Sequence, residues 1–375
     1  MDTRAGAIRA HHIGSFLRPP RLLEARARFA AGAIDASCLR AVEDASIRDA
    51  IAMQERLGFA LVTDGEFRRM SWRSVIVERV PGFTVAAAVG DVDMAHDDAG
   101  EEVKIGNAPY VTSRIAADTP IAIDDADFVA THTRCGVKVA LPSPSYMHFL
   151  RGDASFAAAA YPDREAYFAD LVALYANEIA RLAERGVAMV QLDEVAVTAM
   201  CDPAIRAKLR ARGDDPDRLV QQYRGMLAAI LARKPATLTI GVHMCRGNFS
   251  GKWLASGGYD YLREAFMGPL APDLWLLEFD SERAGDFGVL TSIAEASSVI
   301  LGLVSTKTPV MEERQALLGR VEAASSYISF DRLGLSPQCG FASHAAGNPI
   351  TPEIQEKKLE LVVDIARELW GSASP

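Results

Sequence analysis

The sequence has no apolar run long enough to cross a bilayer and no excess of basic charge, and each absence excludes a class of protein. Every apolar stretch falls short of the ~18 residues that a membrane-spanning helix needs. The first residues, MDTRAGAIRAHHIGSF, contain no apolar core of signal-peptide length. Lys and Arg number 40 against 49 Asp and Glu, a formal net charge of −9, which argues against nucleic acid or an anionic membrane as the main partner. We therefore expect a soluble, cytoplasmic protein.

Cysteine is also scarce, and a dinucleotide-binding turn is missing. The five cysteines are odd in number and widely scattered, which indicates a reducing compartment rather than a disulfide framework. They are Cys38, Cys135, Cys201, Cys245 and Cys339. No strand-like run is followed by G-x-G-x-x-G, so the sequence gives no support to dinucleotide binding.

What the sequence does contain is a regular alternation of short apolar runs and longer helical patterns. Runs typical of buried strands lie near Ala7, Ala60, Val137, Val187, Leu238, Leu274, Ser298 and Arg332. Helical patterns cover residues 21–31, 37–57, 163–185, 217–233, 312–328 and 352–370. Eight runs alternating with helices predict a single α/β domain over residues 1–375, a TIM (β/α)8 barrel whose active site lies at the carboxyl ends of the strands. An open, doubly wound sheet is the alternative.

Residues 73–133 interrupt this alternation. They separate the second and third predicted strands by far more than an ordinary loop. The stretch contains the acidic sequence AHDDAGEE and short alternating runs such as PYVTSRI. We predict a β-rich insertion between strands 2 and 3, an arm or subdomain over the barrel mouth. A contact between copies of the chain is the alternative.

Four residues that can bind metal stand where apolar runs end. His243 and Cys245 follow one run, Glu278 ends the run LWLLE, and Cys339 lies in SPQCGF after another. Because the carboxyl ends of parallel strands meet at one rim, these four could hold one zinc ion in tetrahedral geometry. A buried charge such as Glu278 costs several kcal/mol unless it is paired or bound to metal. The alternative is that the histidine and cysteine are ordinary core residues.

These residues, in this order, resemble a known family. From His12-Ile13-Gly14-Ser15 to Cys339-Gly340 the chain is similar to the catalytic C-terminal barrel of cobalamin-independent methionine synthase, the zinc-dependent homocysteine methyltransferase. The resemblance implies one zinc bound by His243, Cys245, Glu278 and Cys339. It also implies two small-molecule partners, the thiol homocysteine and a methyl donor.

The resemblance extends to the residues that would bind the amino-acid end of homocysteine. It implies that Ile13, Gly14 and Ser15 form a turn that holds the carboxylate, and a turn glycine with exposed N–H groups suits that role. It implies that Glu66 and Asp193 meet the ammonium. His12, at the end of the first predicted strand, is expected to line the pocket. The alternatives are an ordinary turn and, for the two carboxylates, a rim salt bridge with Arg68 or Arg69.

The chain departs from the family pattern near the end of the seventh predicted strand. Folate-dependent members carry a histidine there that helps to protonate the leaving amine, whereas Ser305 stands at the equivalent position in GLVSTKTP. Lys307 is the nearest possible acid, although its ordinary pKa is far above neutral. The methyl donor is therefore left open among a folate, a corrinoid-bound methyl and a sulfonium.

The resemblance thus implies a zinc-dependent methyltransferase that converts homocysteine to methionine. Zinc would lower the pKa of the bound thiol, and the thiolate would attack the methyl group of the donor. The alternatives are another thiol alkyltransferase of the superfamily, such as one that acts on coenzyme M, a non-catalytic thiol-binding member, and a decarboxylase. A corrinoid protein or a second copy of the chain is a possible protein partner.

Overall fold

A computed structural model describes residues 8–371 of the chain. The strands are β1 Leu61–Val62, β2 Phe83–Ala87, β3 Met94–His96, β4 Glu102–Lys104, β5 Asn107–Val111, β6 Gly136–Pro142, β7 Met189–Asp193, β8 Thr239–Met244, β9 Leu274–Glu278, β10 Ser298–Val304 and β11 Leu333–Pro337. The helices are α1 Pro20–Ala30, α2 Ala36–Leu57, α3 Ser74–Arg79, α4 Ile123–Ala130, α5 Tyr146–Phe149, α6 Arg164–Glu184, α7 Val195–Ala199, α8 Pro203–Arg212, α9 Pro216–Leu231, α10 Asp260–Leu262, α11 Arg314–Ser325 and α12 Pro352–Trp370.

Seven strands form one parallel sheet in the order β1-β6-β7-β8-β9-β10-β11. Each of these strands matches one of the predicted runs, so the α/β class with a parallel sheet is confirmed. Sequence order equals spatial order, which is typical of repeated right-handed βαβ units. The sheet curls, and the carboxyl ends of β6, β7 and β8 lie side by side, with Pro142 paired to Asp193 and Asp193 to His243.

The first predicted strand lies between the two edges of this sheet. Ala10 forms a parallel bridge with Leu335 of β11, and the N–H of His11 donates to the Leu335 carbonyl at 2.9 Å. On the other side, Nε2 of His12 lies 3.2 Å from the carbonyl of Leu61 in β1. The segment forms a single bridge rather than a full strand, and Ala7, where the predicted run begins, lies outside the described residues.

The six predicted helices are present as α1, α2, α6, α9, α11 and α12. Caps explain the bounds of α2 and α12. In α2, the Asp35 side chain accepts from the N–H of Cys38, and Gly58 ends the helix in the left-handed conformation. In α12, Thr351 caps the first turn and Pro352 occupies the first helical position. No helix between residues 8 and 371 combines the length and the apolar character that crossing a bilayer requires.

A small apolar cluster, separate from the main core, sits inside the curled sheet. Its members are Ile8, Ile13, Leu61, Met189, Leu274, Leu276 and Ile300. Side chains two residues apart on a strand point to the same face of the sheet. Gln191 and Glu278 follow Met189 and Leu276 at this spacing, and both are also buried. The interior therefore changes from apolar to polar toward the carboxyl ends of the strands.

Residues 73–133 contain two short antiparallel ladders, β2 with β5 and β3 with β4, together with α3 and α4. The hairpin of β3 and β4 pairs with the loop that follows β8, since His96 and Trp253 exchange backbone hydrogen bonds of 2.7 and 2.8 Å. The segment is thus held against the rim where the strands end. Its interpretation as an inserted subdomain stays a prediction.

Candidate functional site

A cavity opens at the carboxyl ends of the strands and brings together many of the predicted site residues. Its wall includes Ile13, Ser15, Glu66, Asp193, His243, Cys245 and Cys339. Ala95 and Ile105, from residues 73–133, also line it. The segment predicted to cover the mouth therefore supplies part of the wall.

Three predicted metal ligands meet on one side of this cavity. The ligand atoms of His243, Cys245 and Cys339 all lie within 4.8 Å of one another, and the two sulfurs are 3.9 Å apart. His243 is two residues before Cys245, so both point to the same face at the end of β8. Cys339 lies two residues after the end of β11. Two thiols and one imidazole form a donor set that zinc favours.

The histidine is oriented for a ligand. Its Nδ1 lies 3.1 Å from the Leu276 carbonyl, which can only accept, so Nδ1 carries a proton and, in the neutral imidazole, Nε2 has the free lone pair. Nε2 is buried and has no hydrogen-bond partner among the described residues. A bound metal would satisfy this nitrogen, and a backbone carbonyl behind a ligating histidine is the usual arrangement. The residues present therefore fit a metal ion.

Glu278, the fourth predicted ligand, is not a member of this group. It is fully buried, Oε1 accepts from Nζ of Lys307 at 2.8 Å, and Oε2 accepts from the backbone N–H of Arg246 at 2.5 Å. Burial works to raise the pKa of Glu278, but the charges of Lys307 and Arg246 outweigh it and lower that pKa. Its assignment as a ligand stays a prediction.

Lys307 and Ser305, considered as substitutes for the family histidine, do not line the cavity in the described structure. Nζ of Lys307 contacts Glu278 and, at 3.4 Å, Asp280. Burial works to lower the pKa of Lys307, yet these carboxylates raise it above the ordinary value for lysine. Such an ammonium is a poor proton donor near neutral pH. Ser305 accepts from the backbone N–H of Lys307 at 3.3 Å. Their catalytic roles stay predictions without support from their surroundings.

Glu66 is buried with an unsatisfied carboxylate oxygen. Its φ of 60° is uncommon for a residue with a side chain, and such strain is frequent at functional sites. Oε2 has no hydrogen-bond partner among residues 8–371, and Oε1 lies 3.9 Å from Nη1 of Arg69. Arg69 is therefore at the outer limit of an ion pair with Glu66, which is the alternative of a rim salt bridge. Arg68 pairs with other carboxylates instead. Burial raises the pKa of Glu66 to about 7, with Asp193 among the groups that add to the shift.

Asp193 ends β7 on the same wall. One of its oxygens accepts from Nε2 of Gln191 at 2.7 Å, and burial raises the pKa of Asp193 to about 6. The same Gln191 nitrogen donates to the carbonyl of Ile13 at 2.7 Å. Gln191 therefore ties the carboxylate to the first turn of the chain.

The turn at residues 13–15 lies directly against Glu66. Gly14 has φ 141°, and a Cβ at that position would lie 3.0 Å from Oε1 of Glu66, so the close approach depends on glycine. Ser15 borders the loop of Cys339, because a Cβ on Gly340 would collide with Oγ of Ser15. The turn, the carboxylates and the cysteine loop form one continuous surface.

His12 is another predicted site residue that the structure places outside the cavity wall. Its ring packs between Phe16 and Phe59, at centroid distances of 5.1 and 5.0 Å, and it does not line the cavity. Side chains alternate in extended chain, so Ile13 faces the cavity and the preceding residue faces away. The expectation that His12 lines the pocket is corrected accordingly.

Sequence reasoning missed Lys138, a fully buried residue of β6. Its Nζ donates to the carbonyl of His12 at 2.5 Å. Burial lowers the pKa of Lys138 to about 7, against the attraction of Asp193 and Glu66, which acts to raise it. The signal was present, since one lysine stands in the otherwise apolar run GVKVALP.

Aromatic residues form part of the wall of the cavity. Trp72 meets Tyr146 edge to face at 4.6 Å, and Phe249 meets His344 at 4.4 Å. Arg73 lies over Tyr146 at 5.8 Å and has a buried nitrogen, Nη1, with no partner in the described part of the chain. This part of the wall can take a flat or partly anionic molecule.

Comparison with known proteins identifies the family. The family described as cobalamin-independent synthase, catalytic domain, matches residues 8–368. The uncharacterised protein YxjH of Bacillus subtilis is 34% identical over 372 residues, 98% of this chain and 96% of that protein. A protein of Pyrococcus abyssi named methionine synthase is 23% identical over 330 residues, 88% of this chain and 84% of that protein.

A solved structure agrees. The crystal structure of a candidate vitamin-B12-independent methionine synthase from Listeria monocytogenes matches with a TM-score of 0.74 and 27% identity, over 97% of this chain and 98% of that one. The chain belongs to the cobalamin-independent synthase catalytic-domain family, a methyltransferase family of the methionine synthase type, and the resemblance seen in the sequence is confirmed.

Proposed function

We propose that the protein is a zinc-dependent methyltransferase that transfers a methyl group to the thiol of homocysteine and forms methionine. One observation carries the proposal. A His-Cys-Cys group with ligand atoms within 4.8 Å of one another shares a cavity with two buried carboxylates, Glu66 and Asp193. The first group suits a thiolate-binding metal, and the second suits an ammonium. A molecule with a thiol at one end and an amino acid at the other complements both.

His243, Cys245 and Cys339 would hold the metal. When bound, zinc lowers the pKa of a thiol in contact with it, so that the thiolate is available near neutral pH. The Leu276 carbonyl fixes the tautomer of His243. The largely buried position of this group would limit the access of bulk water, which solvates a thiolate nucleophile and weakens it.

Glu66, Asp193 and the turn at residues 13–15 would hold the amino-acid end. Glu66 has an oxygen free for the ammonium, and Ser15 and the backbone of the turn would meet the carboxylate. Fixing both ends of the acceptor converts a bimolecular encounter into a positioned reaction. The proposal includes a closed eight-stranded barrel in which residues 8–12 act as the first strand, one domain over residues 1–375, and residues 73–133 as its cover.

The donor is proposed only by class, as an electrophilic methyl compound that is flat enough for the aromatic wall. Assays with methyl-folate, methyl-cobalamin and S-methylmethionine side by side would identify it. Turnover with methyl-folate would show that the family histidine is dispensable here. A cytoplasmic location, self-association and a corrinoid protein partner stay predictions.

The test is Cys339→Ser with metal analysis. We expect about one zinc per wild-type chain, and a large loss of both zinc and methyl transfer in the variant, while circular dichroism shows the fold retained. Cys135→Ser is a matched control, because Cys135 is also half-buried but lies outside the cavity. Full zinc in Cys339→Ser would refute the metal assignment.

The second candidate is alkyl transfer to a thiol that is not an amino acid, such as coenzyme M. The unpaired oxygen of Glu66 argues against it, because a sulfonate thiol has no ammonium to bind. Faster turnover with coenzyme M than with homocysteine would favour that candidate. Bound zinc without transfer to any thiol would favour a non-catalytic role.

A further inference from the structure

The hairpin of β3 and β4 forms part of the wall of a cavity whose polar groups have little contact with water. Ala95, in β3, is fully buried and lines this cavity together with His243 and Glu66. His243 and Glu66 are 1% and 3% exposed. Two reactants of different size have to reach such groups in the proposed transfer. A movable segment of the wall would admit them.

The base of the hairpin is fixed to the rest of the fold. Val92 is fully buried in the main core. The carbonyl of Asp93 accepts from the N–H of Ile105 at 2.8 Å, and Oδ2 of Asp93 accepts from the N–H of Gly106 at 2.9 Å. These bonds tie the two strands to each other where they leave the core. Beyond them, residues 94–104 form a two-stranded ladder of their own.

The tip of the hairpin is held by charges on two neighbouring loops. Lys252, in the loop after β8, contacts Asp97 and, at 3.2 Å, Glu101. Arg283, in the loop after β9, contacts Asp98 at 2.7 Å. These three carboxylates are named the acidic tip. The side chains of Asp98 and Glu101 are 81% and 76% exposed, so water can replace either cation there at little cost in free energy.

A backbone contact joins the hairpin to the loop after β8. His96 and Trp253 exchange hydrogen bonds of 2.7 and 2.8 Å, and their rings stack with centroids 5.1 Å apart. The contact is an isolated bridge and not a ladder. Segments that are held by a few exposed bonds open locally while the core stays folded. The tip can therefore separate from the loops while the base remains in place.

We propose that residues 94–104 are a lid over the cavity, and that Lys252 and Arg283 latch it closed through the acidic tip. When the ion pairs break, the lid swings on its fixed base and admits the reactants. When they form again, the lid limits the access of bulk water to the reacting groups. The purpose of the lid rests on the proposed function, whereas its movement does not.

Hydrogen–deuterium exchange of the full chain, measured on its peptides by mass spectrometry, tests the movement without any substrate. In the double variant Lys252→Ala with Arg283→Ala, we expect peptides that contain His96 and Trp253 to exchange about fivefold faster, because ion pairs at exposed sites are lost. Both peptides should accelerate together, since they form the two sides of one contact. The ladder of β2 and β5 should exchange at the wild-type rate.

The matched control removes two exposed ion pairs between helices, those of Arg56 with Glu356 and of Arg314 with Glu368. Arg56→Ala combined with Arg314→Ala should leave the exchange of both peptides unchanged. Unchanged exchange in the double latch variant would overturn the latch. Equal acceleration in the ladder of β2 and β5 would show a general loosening of the segment, which would overturn the lid as a separate moving unit.

A disulfide across the bridge tests whether turnover needs the movement. Residues that exchange both backbone bonds in an antiparallel pair have Cα atoms ~5.5 Å apart, a distance that a disulfide can span. His96→Cys combined with Trp253→Cys should form this disulfide, which mass spectrometry would confirm. The oxidised protein should transfer methyl to homocysteine about 10-fold more slowly or less, and dithiothreitol should restore the rate. His96→Cys alone, treated with the same oxidant, should keep its rate.

The outcomes separate the lid from the proposed function. An oxidised double-cysteine variant that turns over at the wild-type rate would overturn the lid. A pair that forms no disulfide would also overturn it, because the closed contact would then be absent. A wild-type protein that transfers no methyl group to homocysteine would refute the proposed function, while the exchange rates would still decide whether the hairpin opens.

Discussion

Two buried glutamates, Glu278 and Glu66, lie at the same rim, and their surroundings are opposite. Glu278 and Asp280 share Lys307, and Glu278 also accepts from the backbone of Arg246. On the other side of the ligand group, Glu66 has an oxygen without a partner among the described residues, and Arg69 is 3.9 Å away. The same residue type, equally buried, is thus satisfied in one place and unsatisfied in the other.

The difference shows that burial of a carboxylate does not by itself identify a ligand site. The pKa values show the same contrast, because that of Glu278 is lowered by its cations while that of Glu66 is raised by burial to about 7. A protein keeps an unpaired buried charge only at a cost in stability, and such costs concentrate at functional sites. The unpaired group is therefore the one that predicts a substrate.

The largest expected effect comes from breaking the paired side. Lys307→Met leaves Glu278 and Asp280 with one cation fewer, and removing one partner of a buried pair typically costs about 3–5 kcal/mol. We expect the free energy of unfolding, measured by urea denaturation, to fall by that order. Adding Glu278→Gln should restore most of the loss. If Lys307→Met alone is as stable as the wild type, Lys307 does not stabilise the buried carboxylate of Glu278.

Removing the unpaired charge should have the opposite effect on stability. Glu66→Gln deletes a carboxylate whose burial outweighs the attraction of Arg69 at 3.9 Å, so the free energy of unfolding at pH 8 should stay equal or rise. The value of kcat/KM for homocysteine should fall about 100-fold, because the substrate ammonium would then be buried without its charged partner. A thiol of similar length without the amino group should be affected far less. Equal decreases for both thiols would refute the contact with the ammonium.

The sequence was sufficient for the alternation of strands and helices, since local patterns and caps set these bounds. The run 352–370 coincides with α12 because a threonine cap, a first-turn proline and a final glycine mark its limits. His243 and Cys245 were also recognisable, because alternation at the end of a strand puts both on one face. These features depend on neighbours along the chain.

Features that depend on distant partners were not recognisable. Lys307 reaches Glu278 across 29 residues, and only the register of β9 against β10 brings them together. From sequence alone, a charge that ends an apolar strand indicates a need for a partner without saying which. The hairpin of β3 and β4 is likewise held by a loop more than 150 residues away, through His96 and Trp253.

The pH dependence sharpens the description of the unpaired side. The folded-state pKa of Glu66, about 7, lies above its ordinary 4.5, so its contribution to stability is present below 4.5 and is lost as the pH rises through 7. Substrate binding needs the carboxylate, so KM for homocysteine should rise as the pH falls below 7. Lys138→Met removes a nearby positive charge, which should raise the pKa of Glu66. The increase in KM should then begin at a higher pH.

The control for this shift is Lys358→Met, which removes a buried lysine that is paired with Glu312 and does not line the cavity. Its KM profile should coincide with that of the wild type. The dependence of KM on pH is measured with homocysteine and with the thiol lacking the amino group. The KM of the second thiol should not change with the ionisation of Glu66. If KM for homocysteine rises at the same pH in Lys138→Met as in the wild type, the lysine does not act on the carboxylates.

The smallest expected effect comes from a lysine at the surface that is paired with two carboxylates, as Lys307 is inside the protein. Lys252 bridges Asp97 and Glu101, so it ties the loop after β8 to the hairpin of β3 and β4. In Lys252→Ala both carboxylates can be hydrated, because Glu101 is largely exposed and Asp97 partly so. The free energy of unfolding should therefore fall by only about 0.2–1 kcal/mol, the range for exposed ion pairs, and the decrease should shrink in 1 M salt. A decrease as large as that of Lys307→Met would mean that pairing matters equally at the surface and inside, which would remove the basis of the comparison.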